Sequence, residues 1–183
     1  MEINNSKQEE FKDIINLIKN KSFKEAEDAL NKLLNENKND FYIHQLLGIV
    51  YQNTLNFDKS VNHFNLSLNI MPKNAGVLYN LGIINRQLNN LEKAKEYFLK
   101  SIKVNPNFID GHINVAMIYE IENQLFEAEE HFKHAFAIKK DYTPLNRAYI
   151  RFLMNSGEIK KGLSLMYKNF GNIRFGTSNL EII

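Results

Sequence analysis

Shifted on itself by 34 residues, the chain reproduces its own order of apolar, small and polar positions, and a fixed period of that length signals stacked supersecondary units. The phases run 7–40, 41–74, 75–108, 109–142 and from 143 onward, with the middle three the clearest. In those three, the seventh residue is apolar (Leu47, Leu81, Val115) and the eighth small (Gly48, Gly82, Ala116). The twentieth is again small (Ser60, Ala94, Ala128) and the twenty-fourth is Phe64, Phe98 or Phe132. Small residues are needed where two helices cross closely, because a densely packed interior resists a larger group at a cost of roughly 1 to 3 kcal/mol. The pattern therefore predicts two helices per unit, with the apolar positions as core. Asn89-Asn90 marks a turn between helices, and Pro72 and Pro106 close the second helices of their units.

Small, small, aromatic and proline in a 34-residue unit is a pattern that resembles the tetratricopeptide repeat. Tyr51 and Tyr119 fill its position 11, and Ala94 and Ala128 its position 20; Asn85 stands where tyrosine is usual. The resemblance covers three repeats strongly. The flanking units keep the spacing and lose the identities, as solenoid ends do: Phe23, Ala26, Leu30 and Leu34 in the first, and Tyr149, Ile150, Ile159, Gly162, Leu163 and Met166 in the fifth. The resemblance implies an all-α, right-handed α-solenoid of about five helix-turn-helix repeats over residues 7–170. It also implies that first helices line a concave surface and second helices a convex one, and that the chain holds a protein or peptide partner.

On that basis, positions 2, 5, 6, 9, 12 and 13 of each unit face the groove. The resulting partner-binding candidates are Gln45, Gln52, Tyr79, Asn80, Ile83, Arg86, Gln87, Asn114, Met117, Arg147 and Arg151, with Ile49, Asn53, Asp110, Ile113 and Glu120 beside them. Asn80 and Asn114 share one repeat position, where related proteins use asparagine to bond the backbone of an extended peptide. An amide side chain suits this because it both donates and accepts. Leu46 and Ala148 limit the ladder to two rungs. The carboxylate clamp of some family members is not reproduced, since Phe11, Ile15 and Leu46 fall where its polar groups should be. Arg147 and Arg151, four apart on a helix, suit an acidic partner or an internal acid such as Glu120.

Charge changes this picture little. Lys+Arg 23 against Asp+Glu 21 leaves a formal charge of +2 with signs interspersed, which argues against a nucleic-acid or membrane partner. Without cysteine there is no disulfide or thiolate chemistry. His44 and His112 share repeat position 4, and His63 and His131 share position 23, so the repeat accounts for four of the five histidines. His131 and His134 beside Glu127 and Glu130 have a spacing open to a metal, against a solvated helix face. Neither a phosphate loop nor a triad context occurs. The expectation is a non-enzymatic cytoplasmic scaffold without cofactor. The apolar tail 171–183, GNIRFGTSNLEII, folds back as a cap, serves self-association through the C-terminal end, or leads into a larger enzyme for which the repeats recruit substrate.

Overall fold

The computed structural model describes the backbone of residues 2–170, 173–175 and 180–182, and the side chains of residues 8–169. Among the described residues there are ten helices, in two compact units that are taken in turn.

The first unit, residues 1–90, holds α1 (Glu2–Lys19), α2 (Phe23–Glu36), α3 (Phe41–Asn53), α4 (Phe57–Ile70) and α5 (Ala75–Gln87). Helix starts carry the capping chemistry that leaves fewest orphan amides. The Asp40 carboxylate accepts from the amides of Tyr42 and Ile43 at 2.9 and 3.3 Å. Asn56 and Asn74 accept from Lys59 and Val77 at 3.3 and 3.1 Å. Helix ends turn through a left-handed residue at the same repeat position each time: Lys21, Leu55 and Asn89, with φ of 62, 59 and 61°. At Leu55, the amide of Asn56 reaches the Tyr51 carbonyl at 2.9 Å and that of Leu55 reaches Gln52 at 3.1 Å. This double closure satisfies the last carbonyls of α3 and reverses the chain.

The core of this unit gathers Ile14, Ala26, Leu30, Leu33, Ile43, Leu46, Leu47, Val50 and Tyr51. Gly48 faces the fully buried Phe64, and a Cβ built on it would clash with the Phe64 ring. Glycine at the eighth position thus lets α3 and α4 close up, and Ser60 at the twentieth does more than stay small. Its buried hydroxyl donates to the Gly48 carbonyl at 2.7 Å, tying the two helices together.

The second unit, residues 91–183, holds α6 (Leu91–Val104), α7 (Ile109–Ile121), α8 (Leu125–Ile138), α9 (Thr143–Asn155) and α10 (Ile159–Phe170). Its core gathers Ile113, Ala116, Ala128, Phe132, Ala135, Leu145, Ala148, Phe152 and Leu153. The turns repeat the left-handed device at Asn123 and Gly157, with φ of 59 and 85°. After α10 come two short antiparallel strands, β1 (Ile173–Phe175) and β2 (Leu180–Ile182), with Ile173 opposite Ile182 and Phe175 opposite Leu180. The apolar residues of the tail alternate, which is the period of a strand and not of a helix. The expected cap would be made by tail side chains, which lie outside the described residues. No described helix is long and apolar enough to cross a membrane.

Candidate functional site

In the first unit, the α3 and α5 faces enclose a cavity of about 490 Å³ lined by Ile49, Gln52, Asn53, Leu55, Tyr79, Asn80, Ile83 and Gln87. Five sequence-selected residues meet there: Gln52, Tyr79, Asn80, Ile83 and Gln87. The lining contains no charged side chain. It offers amide donors and acceptors over an apolar surface, which is the chemistry of a polypeptide backbone with uncharged side chains. Gln45 is drawn elsewhere: its Oε1 accepts from Asn74 Nδ2 at 2.9 Å, and Asn74 in turn caps α5. Arg86 is half-buried on α5 and outside the cavity lining.

The matching face of the second unit is bound up in itself. Asn114 is 6% exposed and its Nδ2 donates to the Asp110 carbonyl one turn earlier at 2.8 Å, so this rung of the asparagine ladder grips its own helix. The Tyr142 hydroxyl donates to the Asp110 carboxylate at 2.8 Å. Arg151 and Asn155 both donate to the Glu120 carboxylate, at 3.3 and 2.9 Å. Met117 is half-buried and Arg147 exposed.

The four histidines at shared repeat positions pair across their helix hairpins. His44 Nδ1 lies 3.0 Å from His63 Nδ1, and His112 Nδ1 lies 3.1 Å from His131 Nδ1. Nε2 of His44 contacts the Lys38 carbonyl at 3.1 Å, and Nε2 of His112 the Pro106 carbonyl at 3.0 Å. A carbonyl only accepts, so each Nε2 carries a proton, and within each facing pair one Nδ1 donates to the other. Burial first, then the neighbouring imidazole, pushes His63 and His131 down to about 4. Tyr51 stacks on His63 with centroids 5.4 Å apart, and Tyr119 lies 5.6 Å from His131. The Tyr51 hydroxyl donates to Glu27 at 2.7 Å, and burial with this carboxylate raises it to about 12.

Sequence reasoning missed this cluster as a unit, although the signal was present. Tyrosine at position 11 accompanies histidine at 4 and 23 in two repeats, whereas the third repeat replaces all three with Asn85, Leu78 and Tyr97. Asn85 instead donates to the Leu81 carbonyl at 2.8 Å. Among the described residues, no group of three or more His, Cys, Asp or Glu could hold a metal, including the one suggested around His131 and His134.

The sequence model of the tetratricopeptide repeat matches residues 75–108, which comprise α5 and α6. The PilF protein of Pseudomonas aeruginosa has a similar structure, with a TM-score of 0.81 at 16% identity, over 96% of this chain and 80% of that one. So does a thermophilic tetratricopeptide-repeat protein of Thermus thermophilus, with a TM-score of 0.71 at 17% identity, over 89% of each chain. Residues 75–108 thus form a tetratricopeptide repeat, and the chain shares the fold of these proteins. A further similar structure is that of PilW, a widely conserved type IV pilus biogenesis factor, with a TM-score of 0.78 at 17% identity over 91% of this chain and 79% of that one. At such identities the likeness is one of fold. No curated protein matches the sequence. The tetratricopeptide fold accounts for the small residues at positions 8 and 20 and for the helix pairs. The histidine pairs and the uncharged cavity are features of this chain's own residues.

Proposed function

We propose that this tetratricopeptide-repeat protein is an interaction scaffold that holds an extended, largely uncharged peptide segment of a partner protein in the α3/α5 cavity. The observation that carries this reading is the convergence of Gln52, Asn80 and Gln87 with Ile49, Tyr79 and Ile83 around one open space. Each amide-to-backbone bond contributes about 0.5 to 1.5 kcal/mol net, and the tyrosine adds contact area at low entropic cost. A charged side chain entering the cavity would lose its hydration with no counter-charge in the lining. On the second unit, Met117 and Arg147 are the accessible contacts, whereas Asn114 and Arg151 serve the fold.

The test is selection from a displayed library of random extended peptides, followed by titration of the enriched sequences. Asn80→Ala and Gln87→Ala each weaken the selected peptides by about 3- to 10-fold, in line with one lost hydrogen bond. Asn114→Ala leaves affinity unchanged and lowers stability instead. Peptides that bind wild type and the Asn80→Ala/Gln87→Ala double variant equally well would remove the cavity from the mechanism.

A further inference from the structure

Within each unit, every second helix of a hairpin is followed by a first helix packed on it: α2 by α3 and α4 by α5 in the first, α6 by α7 and α8 by α9 in the second. Among the described residues, α10 is a second helix with no such successor, and α1 is the first helix. Their charges are opposite. Helices α1 and α2 carry eight acidic and five basic residues, while α9 and α10 carry five basic residues and none acidic.

Each pair also has an open apolar hollow rimmed by that charge. On α1 and α2 a cavity of about 210 Å³ has Ile14, Leu17 and Leu33 at its floor, with the exposed Glu10 and Asp13 at its edge and Lys32 beside them. On α9 and α10 a cavity of about 470 Å³ has Tyr149, Leu153 and Leu165 at its floor and Lys160, Lys161 and Lys168 around it. Lys161 pairs with Glu158 at 3.2 Å; Lys160 and Lys168 have no acidic partner among the described residues. On the same helix Tyr167 is 62% exposed.

We infer that a second copy of this chain docks its α1–α2 pair on the α9–α10 pair, head to tail, with Glu10 and Asp13 set against Lys160 and Lys168. The occupant is a second copy because this chain itself bears the complementary surface: an apolar hollow edged by Glu10 and Asp13 on α1–α2, and one edged by Lys160, Lys161 and Lys168 on α9–α10. The two surfaces are different patches, so the contact is head-to-tail and each copy can bind one neighbour at either end, in a ring or an open chain. Opposite charges speed and orient the encounter and are screened by salt, while the apolar hollows supply the contact that holds. This inference does not rest on the peptide cavity.

Sedimentation of the full chain decides it, over about 10 to 300 μM at low ionic strength and again near 0.5 M NaCl. The weight-average mass rises from the 21.4 kDa monomer to at least twice that value with concentration at low salt, and falls back at high salt. Lys160→Glu/Lys161→Glu/Lys168→Glu and Glu10→Lys/Asp13→Lys, both at exposed positions, each stay monomeric with unchanged helical content. An equimolar mixture of the two associates again, because each charge-reversed surface finds its match on the other variant. Asn80→Ala/Gln87→Ala assembles as wild type does. A wild type that keeps the monomer mass throughout overturns the inference, as does a mixture that stays monomeric. An acidic protein as occupant of α9–α10 would appear as that first outcome.

Discussion

The two units share an internal device and differ on the face beside it. Each has a pair of imidazoles bridging a helix hairpin, with Nδ1 atoms 3.0 Å apart in the first unit and 3.1 Å in the second. Yet Gln52, Asn80 and Gln87 surround an open cavity in the first, while in the second Asn114, Arg151, Asn155 and Tyr142 are taken up by Asp110 and Glu120. The same repeat positions can therefore hold the fold or leave a surface free. Asn114 bonds a backbone carbonyl, and for Tyr142, Arg151 and Asn155 what decides is the presence of carboxylates within reach. Asp110 and Glu120 sit on α7, whereas α3 and α5 contain no acidic residue at all.

Packing between the hairpin helices gives the largest difference to exploit. In the first unit the eighth position is Gly48, with the Phe64 ring where a Cβ would go; in the second it is Ala116, fully buried in one core with Phe132. Gly48→Ala forces the ring or the helix to move. Alanine's better helix propensity offsets about 1 kcal/mol of a clash worth about 3, and the net loss is about 2 kcal/mol. Ala116→Gly, the mirror change, loses only about 1 kcal/mol through helix propensity. Urea unfolding of both variants checks this. Equal losses would mean that Phe64 has room to shift and that the eighth position is alike in the two units.

Acid should act on both units at once. The facing groups differ: His63 meets His44, Lys59 and Tyr51, while His131 meets His112, His134 and Tyr119. Folding lowers both histidines from 6.5 to about 4, so the unfolded chain takes up protons first. The stabilisation is complete above pH 6.5, declines as pH falls towards 4, and levels off below. Full burial would make each shift worth more, but these rings are only partly shielded, and about 2 kcal/mol in total is expected between pH 7 and 4. The unfolding midpoint, followed over that range, should fall less steeply in His63→Gln and least in His63→Gln/His131→Gln. An unchanged slope in the double variant would assign the acid sensitivity to other groups.

Much of the fold was legible because a period imposes many independent agreements. Positions 7, 8, 20 and 24 name Leu47, Gly48, Ser60 and Phe64, and all four are buried between α3 and α4. The cavity was legible in part, since helical phase places Gln52, Asn80 and Gln87 on one side without asking what else is near. Phase does not see partners that lie far along the chain. Tyr142 reaches Asp110 across 32 residues and Arg151 reaches Glu120 across 31, and those bonds occupy the α7 face of the second unit although the repeat positions are the same. In sequence Ser60 is merely small, and the bond from its hydroxyl to Gly48 depends on a backbone approach that composition does not reveal. The tail's alternation spans only three residues on each strand, too short a run to tell a strand from an irregular cap by sequence alone.

The smallest effect lies at the turns, where the units again diverge. Leu55 and Asn123 occupy the same repeat position with φ of 59° in both. Asparagine tolerates the left-handed region because its short amide bonds locally, whereas leucine brings its Cβ against the following carbonyl. Leu55 is also 68% exposed, so little burial offsets that strain. Leu55→Asn is expected to raise stability by about 1 kcal/mol, and Asn123→Leu to lower it by a similar amount. If both hold in thermal unfolding, the leucine is kept at a cost to the fold. Its place in the lining of the uncharged cavity then supplies the reason, and the same Leu55→Asn chain should bind the selected peptides more weakly than wild type. A stabilised variant with unaltered binding would leave the strain at Leu55 without a function, and would confine the peptide contacts to the helical faces of α3 and α5.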